Sequence, residues 1–391
     1  MDFELTREQK MIIKNVREFM RKEIEPVAEE IDREDRFPEG IWRTLGDLGL
    51  LGIGIPEAYG GSGMDKFTFT LVVEQIAIVC PGLALSYGAH TNLCAHNLEY
   101  NGTEEQKQKY LPGLCSGELI GCMGLTEPDT GSDAVGITTR AEKNGDAFLI
   151  NGSKMFITNA PEADLALIHT KTDTDKKSRG ITSFLVEKGT PGFSVSPKIK
   201  KMGNRGSATG ELIFNNCKVP AKNVLGKVNE GIKVMMNGLD IERVVVAGMA
   251  LGIGEAALEL GLKYAKSRKQ FNQPISSFQL IKAKLANMYT EIEAARGLIY
   301  RAAILADNST RGGKGTEIHK LAAAAILFTA EAVTRAVNES LQIHGGYGYT
   351  LEYPINRFYR DAKLYEIGAG TSEIRRLLIA NELIKKGTGY H

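Results

Sequence analysis

The amino-acid sequence predicts an α+β fold in which a β-rich segment lies between two helical segments. Apolar residues recur at helical spacing up to about residue 120 and again after about residue 230. Between these regions, short β-rich runs alternate with turn signals. The 391 residues are enough for two or three structural units. We therefore place three domains at residues 1–120, 121–230 and 231–391.

The N-terminal segment carries two signatures of helix starts. Thr6 and Gln9, and later Thr103 and Gln106, have the spacing of a capping box. Pro26 comes late in the first helical pattern, and we expect it to bend or end that helix because proline has no N–H to donate. This segment is therefore predicted to be helical.

The middle segment has the pattern of short strands. β-Rich runs occur at 165–169, 181–186 and 211–214, with turn signals such as Asn151-Gly152 and Pro191-Gly192 between runs of this kind. About six such strands with no intervening helix predict an antiparallel barrel or sandwich.

The C-terminal segment returns to helical spacing. Long apolar periodicities cover residues 278–307 and 315–343. A last helix is predicted to start near Thr371 and to stop at Gly387, after Lys385 and Lys386, because cations stabilise a helix C-terminus.

Composition argues against several classes of partner. Net charge is +1, so no strong field attracts nucleic acid or an anionic membrane. The longest apolar run, 321–328, is too short to span a bilayer, and the first ten residues have no secretory pattern. Five cysteines without a CxxC pair, and histidines without ligand spacing, argue against disulfides and a metal site. We expect no nucleic-acid binding, no membrane insertion and no metal.

Glu242 is the first candidate catalytic residue. If its segment is helical, its neighbours three and four positions away are Gly238, Leu239, Val245 and Val246, and none of them can pair with a carboxylate. Desolvation on such a face raises a carboxyl pKa, which suits a general base or acid. The alternative is an ion pair with an arginine from another element.

Arg243 has a local partner in Asp240, three residues earlier. This arginine is therefore either structural or an anchor for an anionic ligand. No GxGxxG dinucleotide motif and no phosphate-binding P-loop occur in the sequence, which disfavours a nicotinamide Rossmann enzyme or a P-loop ATPase.

Three glycine- or hydroxyl-rich turns could each bind a ligand. Residues 126–133 are rich in backbone donors and hydroxyls, as in loops that hold phosphates or polar heterocycles. Residues 344–346 form either a simple helix C-cap or a place where backbone approaches a ligand closely. Residues 368–373 precede a helix, and helix N-termini favour anionic or carbonyl groups.

Taken together, these stretches resemble the acyl-CoA dehydrogenase family of flavoproteins over essentially the whole chain. The resemblance implies a helical domain, an antiparallel β-barrel domain and a C-terminal four-helix bundle. Within the family, the chain is most like the short- and branched-chain (isovaleryl-CoA) branch. The matching stretches are LTEPDTGSD (125–133), NGSKMFITNA (151–160), SRKQF (267–271), QIHGGYGY (342–349), RDAKLYEI (360–367) and GTSEIRR (370–376).

The resemblance also implies a catalytic assignment. Most family members carry their catalytic glutamate just before the Gly-Thr of the last motif, where this chain has Ala369. The isovaleryl branch takes its base from the position that matches Glu242. This glutamate would remove the α-proton of an acyl-CoA thioester while a hydride passes to flavin N5, giving the trans-2-enoyl-CoA. The backbone N–H of Ala369 would donate to the thioester oxygen.

The same resemblance implies binding residues and partners. The acyl-CoA substrate would contact Ser132, Ser178, Asp240, Arg243 and Gly370. Electrons would pass to an electron-transfer flavoprotein, and the chain would form a homotetramer, a pair of dimers. We expect it in the cytoplasm, or in the mitochondrial matrix if this is a processed chain. The residues implied for FAD, some of them across a subunit boundary, are Met123, Leu125, Thr126, Ser132, Phe156, Thr158, Arg268, Gln270, Phe271, Phe278, Gln279, Gln342, Gly345, Gly346, Thr371 and Glu373.

Other functions remain open at this point. The substrate could be an alicyclic or a straight short-chain acyl-CoA. The protein could be an oxygen-using acyl-CoA oxidase of the same fold. It could also be a scaffold without activity, an alternative that Ala369 favours and Glu242 disfavours.

Overall fold

The computed structural model describes residues 4–308, 313 and 315–388. The N-terminal part is helical, as predicted, and both capping boxes are confirmed: Thr6 and Gln9 exchange hydrogen bonds of 3.1 Å, and Thr103 and Gln106 do so at 3.0 and 3.3 Å. In this described part the helices are α1 (Arg7–Phe19), α2 (Ala28–Glu34), α3 (Glu39–Asp47), α4 (Lys66–Val79), α5 (Pro81–Gly88), α6 (Asn97–Asn101) and α7 (Glu104–Ser116).

Two of the N-terminal helices continue into wider turns. Helix α1 passes into a π-helix at Met20–Ile24 and a 3₁₀ turn at Glu25–Val27, so regular helix ends before Pro26, as predicted. Between α5 and α6 the chain forms a second π-helix, Ala89–His96. Such widened turns are frequent at functional sites.

The middle part is a single sheet of eight strands in the order β6-β7-β3-β2-β4-β5-β8, with β1 paired to β4. The strands are β1 (Gly121–Gly124), β2 (Arg140–Asn144), β3 (Ala147–Thr158), β4 (Leu165–Lys171), β5 (Ile181–Glu187), β6 (Phe193–Val195), β7 (Thr209–Pro220) and β8 (Val224–Leu225).

The strands form the predicted mainly antiparallel sheet domain, but the barrel is not closed. Among the described residues, β6 and β8 are the two edges and do not pair with each other. The two halves of the sheet meet at one parallel pair, Arg140 with Lys171, and β1 also runs parallel to β4. The edge strands have three and two residues, which is too short to supply the continuous ladder that closure requires.

The C-terminal part is helical, as predicted. Helices α8, α9 and α10 pack against one another, while α11 and α12 pack on α10. The last helix has Thr371 as its N-cap and Gly387 as its C-cap, which confirms the predicted bounds. The elements are α8 (Gly231–Ser267), a hairpin of β9 (Lys269–Gln270) and β10 (Gln273–Pro274), α9 (Gln279–Asp307), α10 (Glu317–His344), α11 (Pro354–Ala362) and α12 (Ser372–Lys386).

The two helical parts share one hydrophobic core. Helix α4 is buried along almost its whole length and packs against α8 and α9 of the C-terminal part. Buried residues from Val16 to Tyr365 belong to the same cluster. The two helical parts are therefore separated in sequence by the sheet but do not form two independent cores.

Helices α8 and Glu317–Tyr349 are long and apolar enough to cross a membrane by length and composition. In their most apolar windows, 72% and 61% of the residues are buried inside the protein. Their apolar character therefore serves internal packing, as in core helices.

Candidate active site

The site is built where the α5–π-helix segment crosses α8. A side chain at Gly88 would collide with Met249, and one at Gly238 would collide with Asn97. The two segments therefore lie antiparallel and in close contact. The segment also touches the sheet, because Gly121 N–H donates to His90 Nδ1 (3.0 Å). It thus joins α8 to the sheet, with position 242 between the two crossing points.

Glu242 lies at this crossing with an unpaired carboxylate. Its Oε2 atom is buried and has no hydrogen-bond partner, and no ion pair of Glu242 occurs in the described part of the chain. The ion pair that the sequence left open is therefore not formed there. Burial raises the pKa of Glu242 to about 7, although the charges of Arg243 and Arg375 oppose this rise. A carboxyl group with a pKa near neutrality can accept and return a proton.

Arg375 of α12 is a residue that sequence reasoning did not assign. It is fully buried and donates to the carbonyl oxygens of Tyr365 (2.8 Å) and Gly368 (2.5 Å), while its Nε has no partner. Burial and the charge of Arg243 lower the pKa of Arg375, and the charge of Glu242 raises it. The combined result is a pKa of about 10. The only sequence signal was its place in GTSEIRR.

The turn that Arg375 holds leads directly to Ala369. This residue has φ +56°, a left-handed conformation that is strained for a side chain other than glycine. The N–H groups of Ile367 and Gly368 donate to Leu364 O, whereas that of Ala369 has no acceptor in the described chain. Gly370 follows at φ +91°, and Thr371 caps α12. A backbone donor is therefore left free next to a fixed turn.

Asp240 and Arg243 form the predicted local pair, with a distance of 2.8 Å from Nη1 to Oδ1. Both side chains are buried. The Nε atom of Arg243 has no partner, which leaves a buried cationic donor unused by this chain. The Asp240 carboxylate, in contrast, accepts further hydrogen bonds from Gly313 and His319.

A second group of predicted residues gathers at one place on the sheet. Strand β3 bulges between Lys154 and Ile157, which gives Phe156 φ +60° and leaves its ring 64% exposed. Met155 N–H donates to Thr126 O (2.8 Å), so the bulge lies beside the end of β1. Leu125 and Thr126 thereby lie beside the bulge that carries Phe156, and Thr158 follows at the end of β3.

A buried ion pair fixes this part of the sheet. Glu127 Oε1 accepts from Lys154 Nζ (2.7 Å), and its oxygens also accept from Thr138 and Thr139. Burial favours the neutral acid, but the charge of Lys154 and these hydrogen bonds outweigh it and lower the pKa of Glu127 to about 2. Glu127 and Lys154 lie in two of the stretches that carry the family resemblance, but the sequence does not predict that they pair, because they are 27 residues apart.

A third group lies far from Glu242, at the other end of α8. The guanidinium of Arg268 is 5.6 Å from the Tyr347 ring, which joins the β9–β10 hairpin to the glycine turn after α10. Gly345 has φ +59°, and a Cβ there or at Gly346 would meet nothing within 4 Å. The other predicted members of this group are Gln270, Phe271, Phe278, Gln279 and Gln342.

The distance between the first and third groups follows from helix geometry. Glu242 and Arg268 are 26 residues apart on a continuous helix. At about 1.5 Å per residue this is about 39 Å. A ligand that contacted both groups within a single chain would have to span this distance.

The remaining predicted residues are on several different elements. Met123 is on β1, opposite Leu167 of β4. Ser132 is exposed in the loop before β2, and Ser178 is half-buried in a 3₁₀ turn before β5. Glu373 is exposed in the first turn of α12. The structure gives no hydrogen bond between these residues and Glu242 within the described chain.

Sequence comparison identifies the family. The profiles of the acyl-CoA dehydrogenase N-terminal, middle and C-terminal domains match residues 6–118, 122–217 and 229–384. The chain belongs to the acyl-CoA dehydrogenase family. It is an oxidoreductase with FAD as its cofactor.

Curated relatives of this acyl-CoA dehydrogenase cover nearly the whole chain. A mitochondrial isovaleryl-CoA dehydrogenase of Pongo abelii is 47% identical over 379 residues, which is 96% of this chain and 88% of that protein. A probable acyl-CoA dehydrogenase of Bacillus subtilis is 48% identical over 386 residues, covering 98% of this chain and all of the relative.

Solved structures agree on the fold of this acyl-CoA dehydrogenase. The butyryl-CoA dehydrogenase of Megasphaera elsdenii superposes with a TM-score of 0.94 at 41% identity, covering 98% of this chain and 100% of that chain. A glutaryl-CoA dehydrogenase in complex with glutaryl-CoA gives 0.94 at 38% identity, with 98% and 97% covered. An acyl-CoA dehydrogenase of Bacillus anthracis, in complex with FAD, gives 0.91 at 36%, with 98% and 68% covered.

The residues on the sheet fit a flavin ring. The strained and exposed Phe156, next to Leu125 and Thr126, forms a surface on which an aromatic heterocycle can stack. The third group offers Arg268 and two glycines with open space around them, which suits a pyrophosphate approached by backbone.

Proposed function

We propose that this protein dehydrogenates a short, branched acyl-CoA, with isovaleryl-CoA as the first choice, to the 2-enoyl thioester. The observation that carries the proposal is the buried, unpaired carboxylate of Glu242, whose pKa is about 7. The names of relatives such as the isovaleryl-CoA dehydrogenase support the substrate class.

Glu242 is the base that takes the α-proton. At neutral pH a carboxyl group with this pKa is ionised in a large fraction of molecules, so it can accept a proton. It also retains the proton after accepting it, because its pKa is close to the pH. Arg243 and Arg375 stabilise its ionised form before the reaction. Bound FAD supplies the acceptor for the β-hydrogen and the two electrons that leave with it.

Charge that develops on the thioester oxygen requires a donor. The N–H of Ala369, free of any acceptor in the described chain, is this donor in our proposal. Arg375 is a positioning residue for it, because it holds the carbonyls of Tyr365 and Gly368 just before Ala369. Loss of the acidic side chain at 369 leaves the backbone donor intact.

The acyl group lies in our proposal against small and aliphatic side chains. Leu85, Ala89 and Leu93 share one side of the segment that crosses α8, and Val246 is one turn after Glu242. Most of the neighbouring residues are fully buried, whereas three of these side chains are half-buried: Leu85, Leu93 and Val246. Such a surface favours a short apolar chain and offers no charged partner for a distal carboxylate.

The thioester and CoA bind near Arg243, whose unused Nε donor is buried. Ser132, Ser178 and Gly370 remain proposed contacts of the same ligand. FAD is held between two groups of residues. One is the sheet group, with Met123, Thr158, Thr371 and Glu373 around it, and the other is the Arg268 group of a second subunit. The chain is then a homotetramer of two dimers that passes electrons to an electron-transfer flavoprotein in the cytoplasm.

An oxygen-using oxidase is the second candidate. A prolyl acyl carrier protein oxidase has the same fold, with a TM-score of 0.93 at 35% identity, and covers 97% of this chain and 100% of its own. Turnover under nitrogen with an artificial electron acceptor supports the dehydrogenase, whereas rapid formation of hydrogen peroxide in air supports the oxidase.

The direct test is reduction of the purified yellow holoenzyme by a panel of acyl-CoA thioesters. We expect isovaleryl-CoA to give the highest kcat/KM, ahead of straight and alicyclic short chains. Glu242→Gln should retain FAD and bind the thioester but lose at least about 10³-fold in the rate of flavin reduction, the scale of losing an essential base. Rapid bleaching of the Glu242→Gln protein by substrate would rule out the assignment.

A further inference from the structure

Three elements meet on the carboxylate of Asp240. Its Oδ1 accepts from Arg243 Nη1 (2.8 Å) and from His319 Nδ1 (2.7 Å). Its Oδ2 accepts from the N–H of Gly313 (2.5 Å) in the connection between α9 and α10. His319 lies in the first turn of α10 and is 2% exposed, and Asp240 is fully buried.

The protonation pattern of this cluster follows from its geometry. Oδ1 receives the N–H of an arginine, so it is an acceptor, and the imidazole nitrogen next to it must be a donor. The proton of His319 therefore lies on Nδ1. A carboxylate has about four acceptor directions, and three of them are used by this chain. Most of the acceptor capacity of Asp240 is thus used inside the protein.

Arg243 is in the opposite situation. The structure gives its guanidinium one hydrogen bond within the described chain, to Asp240, and leaves Nε buried without a partner. The direction of its remaining donors is therefore set by Asp240, and Asp240 is held in turn by His319 and Gly313.

We propose that His319 is a positioning residue of the substrate site, which orients Arg243 through Asp240 for binding of the acyl-CoA thioester. The inference rests on the proposed function. It also changes the role of Asp240, which acts through Arg243 and does not itself contact the ligand. His319 is 79 residues from Asp240 in sequence, and α10 brings the two together.

The proposal predicts an effect on binding more than on chemistry. His319 does not hydrogen-bond to Glu242 or to the Tyr365–Ala369 turn in the described structure, so the base and the backbone donor stay in place. We expect His319→Ala in the holoenzyme to raise KM, and Kd for the enoyl-CoA product, roughly tenfold, the change expected for one hydrogen bond to a charged group. The kcat should change less than about threefold.

His319→Asn is the matched control. Its amide nitrogen takes the place of Nδ1 and keeps a donor toward Asp240. We expect it to restore KM and Kd to within about threefold of the parent values. FAD content and Tm are measured for each variant, so that loss of folding is not taken for loss of positioning.

A double-mutant cycle with Arg243→Gln completes the test and remains informative if His319→Ala is unstable, because His319→Leu, which fills more of the space and has no N–H donor, can replace it. If His319 acts through Arg243, its substitution should leave Kd unchanged in the Arg243→Gln background. An equal effect in both backgrounds, or no effect on Kd in the parent, would overturn the proposal. If the parent protein itself neither binds nor oxidises any acyl-CoA, the proposed function fails instead.

Discussion

At the scale of single residues, the candidate site concentrates unpaired polar atoms. Glu242 Oε2, Arg243 Nε and Arg375 Nε are all buried without a partner, and their charges interact with one another. Each such atom costs about 1–3 kcal/mol. Folding alone gives no reason to keep three of them together, whereas a ligand that supplies a thioester and an exchangeable proton does.

The pKa of Glu242 determines how activity depends on pH. The base must be ionised to take a proton, and burial raises its pKa to about 7. We therefore expect kcat/KM to fall about tenfold per pH unit below about 7 and to level off above it, because kcat/KM reports the free enzyme. The measurement is flavin reduction by a limiting concentration of isovaleryl-CoA between pH 5.5 and 9.

Two neighbouring arginines provide a matched pair for this prediction. Arg375 lowers the pKa of Glu242, so Arg375→Gln should move the inflection to higher pH. Arg376 is exposed and pairs with Glu331, so Arg376→Gln should leave the inflection where it is. A profile that is flat from pH 5.5 to 9 in the parent protein would contradict Glu242 as the base.

At the scale of elements, the sequence predicted what is local. Both capping boxes, the Asp240–Arg243 pair and the bounds of the last helix depend on residues a few positions apart. The openness of the barrel could not be predicted, because closure depends on whether two edge strands, far apart in sequence, are long enough to meet. His319 was missed for the same reason, because its partner Asp240 is 79 residues away and is brought near by helix packing. Arg375 was missed because its partners are backbone carbonyls of the preceding turn, which no side-chain pattern indicates.

A buried ion cluster joins three helices in a way that no local pattern predicts. Arg296 of α9 bonds to Glu74 of α4 (3.0 Å) and to Glu255 of α8. Glu74 is almost fully buried, and burial together with the charge of Glu255 raises its pKa well above the usual range. One guanidinium therefore serves the carboxyl groups of Glu74 and Glu255 at the contact between the N-terminal and C-terminal helices, and it also pairs with the more exposed Glu293 of its own helix.

Removing this guanidinium should be strongly destabilising. Arg296→Met leaves two acids without their partner, and we expect the free energy of unfolding at pH 8 to fall by about 3–5 kcal/mol in urea titrations. The loss should be smaller at pH 5.5, because protonation relieves the unpaired charge. Arg335→Met, which breaks an exposed pair with Glu291, is the control and should cost less than about 1 kcal/mol. Equal losses in the two variants would contradict a structural role for the buried cluster.

At the scale of the whole molecule, one chain divides the residues proposed for FAD between two distant places. In our proposal the sheet group holds FAD beside Glu242, and the Arg268 group lies about 39 Å from Glu242 along α8. The C-terminal part also exposes large apolar side chains near the Arg268 group. Phe271, Leu280, Tyr349 and Leu351 are each more than three-quarters exposed, as on surfaces that bind another subunit.

The division of the site predicts complementation between two inactive variants. Glu242→Gln lacks the base, and Arg268→Ala should lose FAD if this arginine holds the pyrophosphate. In a two-fold dimer, the intact Glu242 of one subunit meets the intact Arg268 of the other, so co-expressed variants should recover about a quarter of parental activity under random pairing. Each variant alone should remain below about a hundredth of parental activity. The measurement is flavin-dependent oxidation of isovaleryl-CoA by the whole co-expressed population, purified through one tag that both variants carry, and the control is the double variant Glu242→Gln/Arg268→Ala paired with each single variant. Activity absent from the mixed oligomer, although both subunits are present and folded, would place the whole cofactor site within one chain and contradict the shared site.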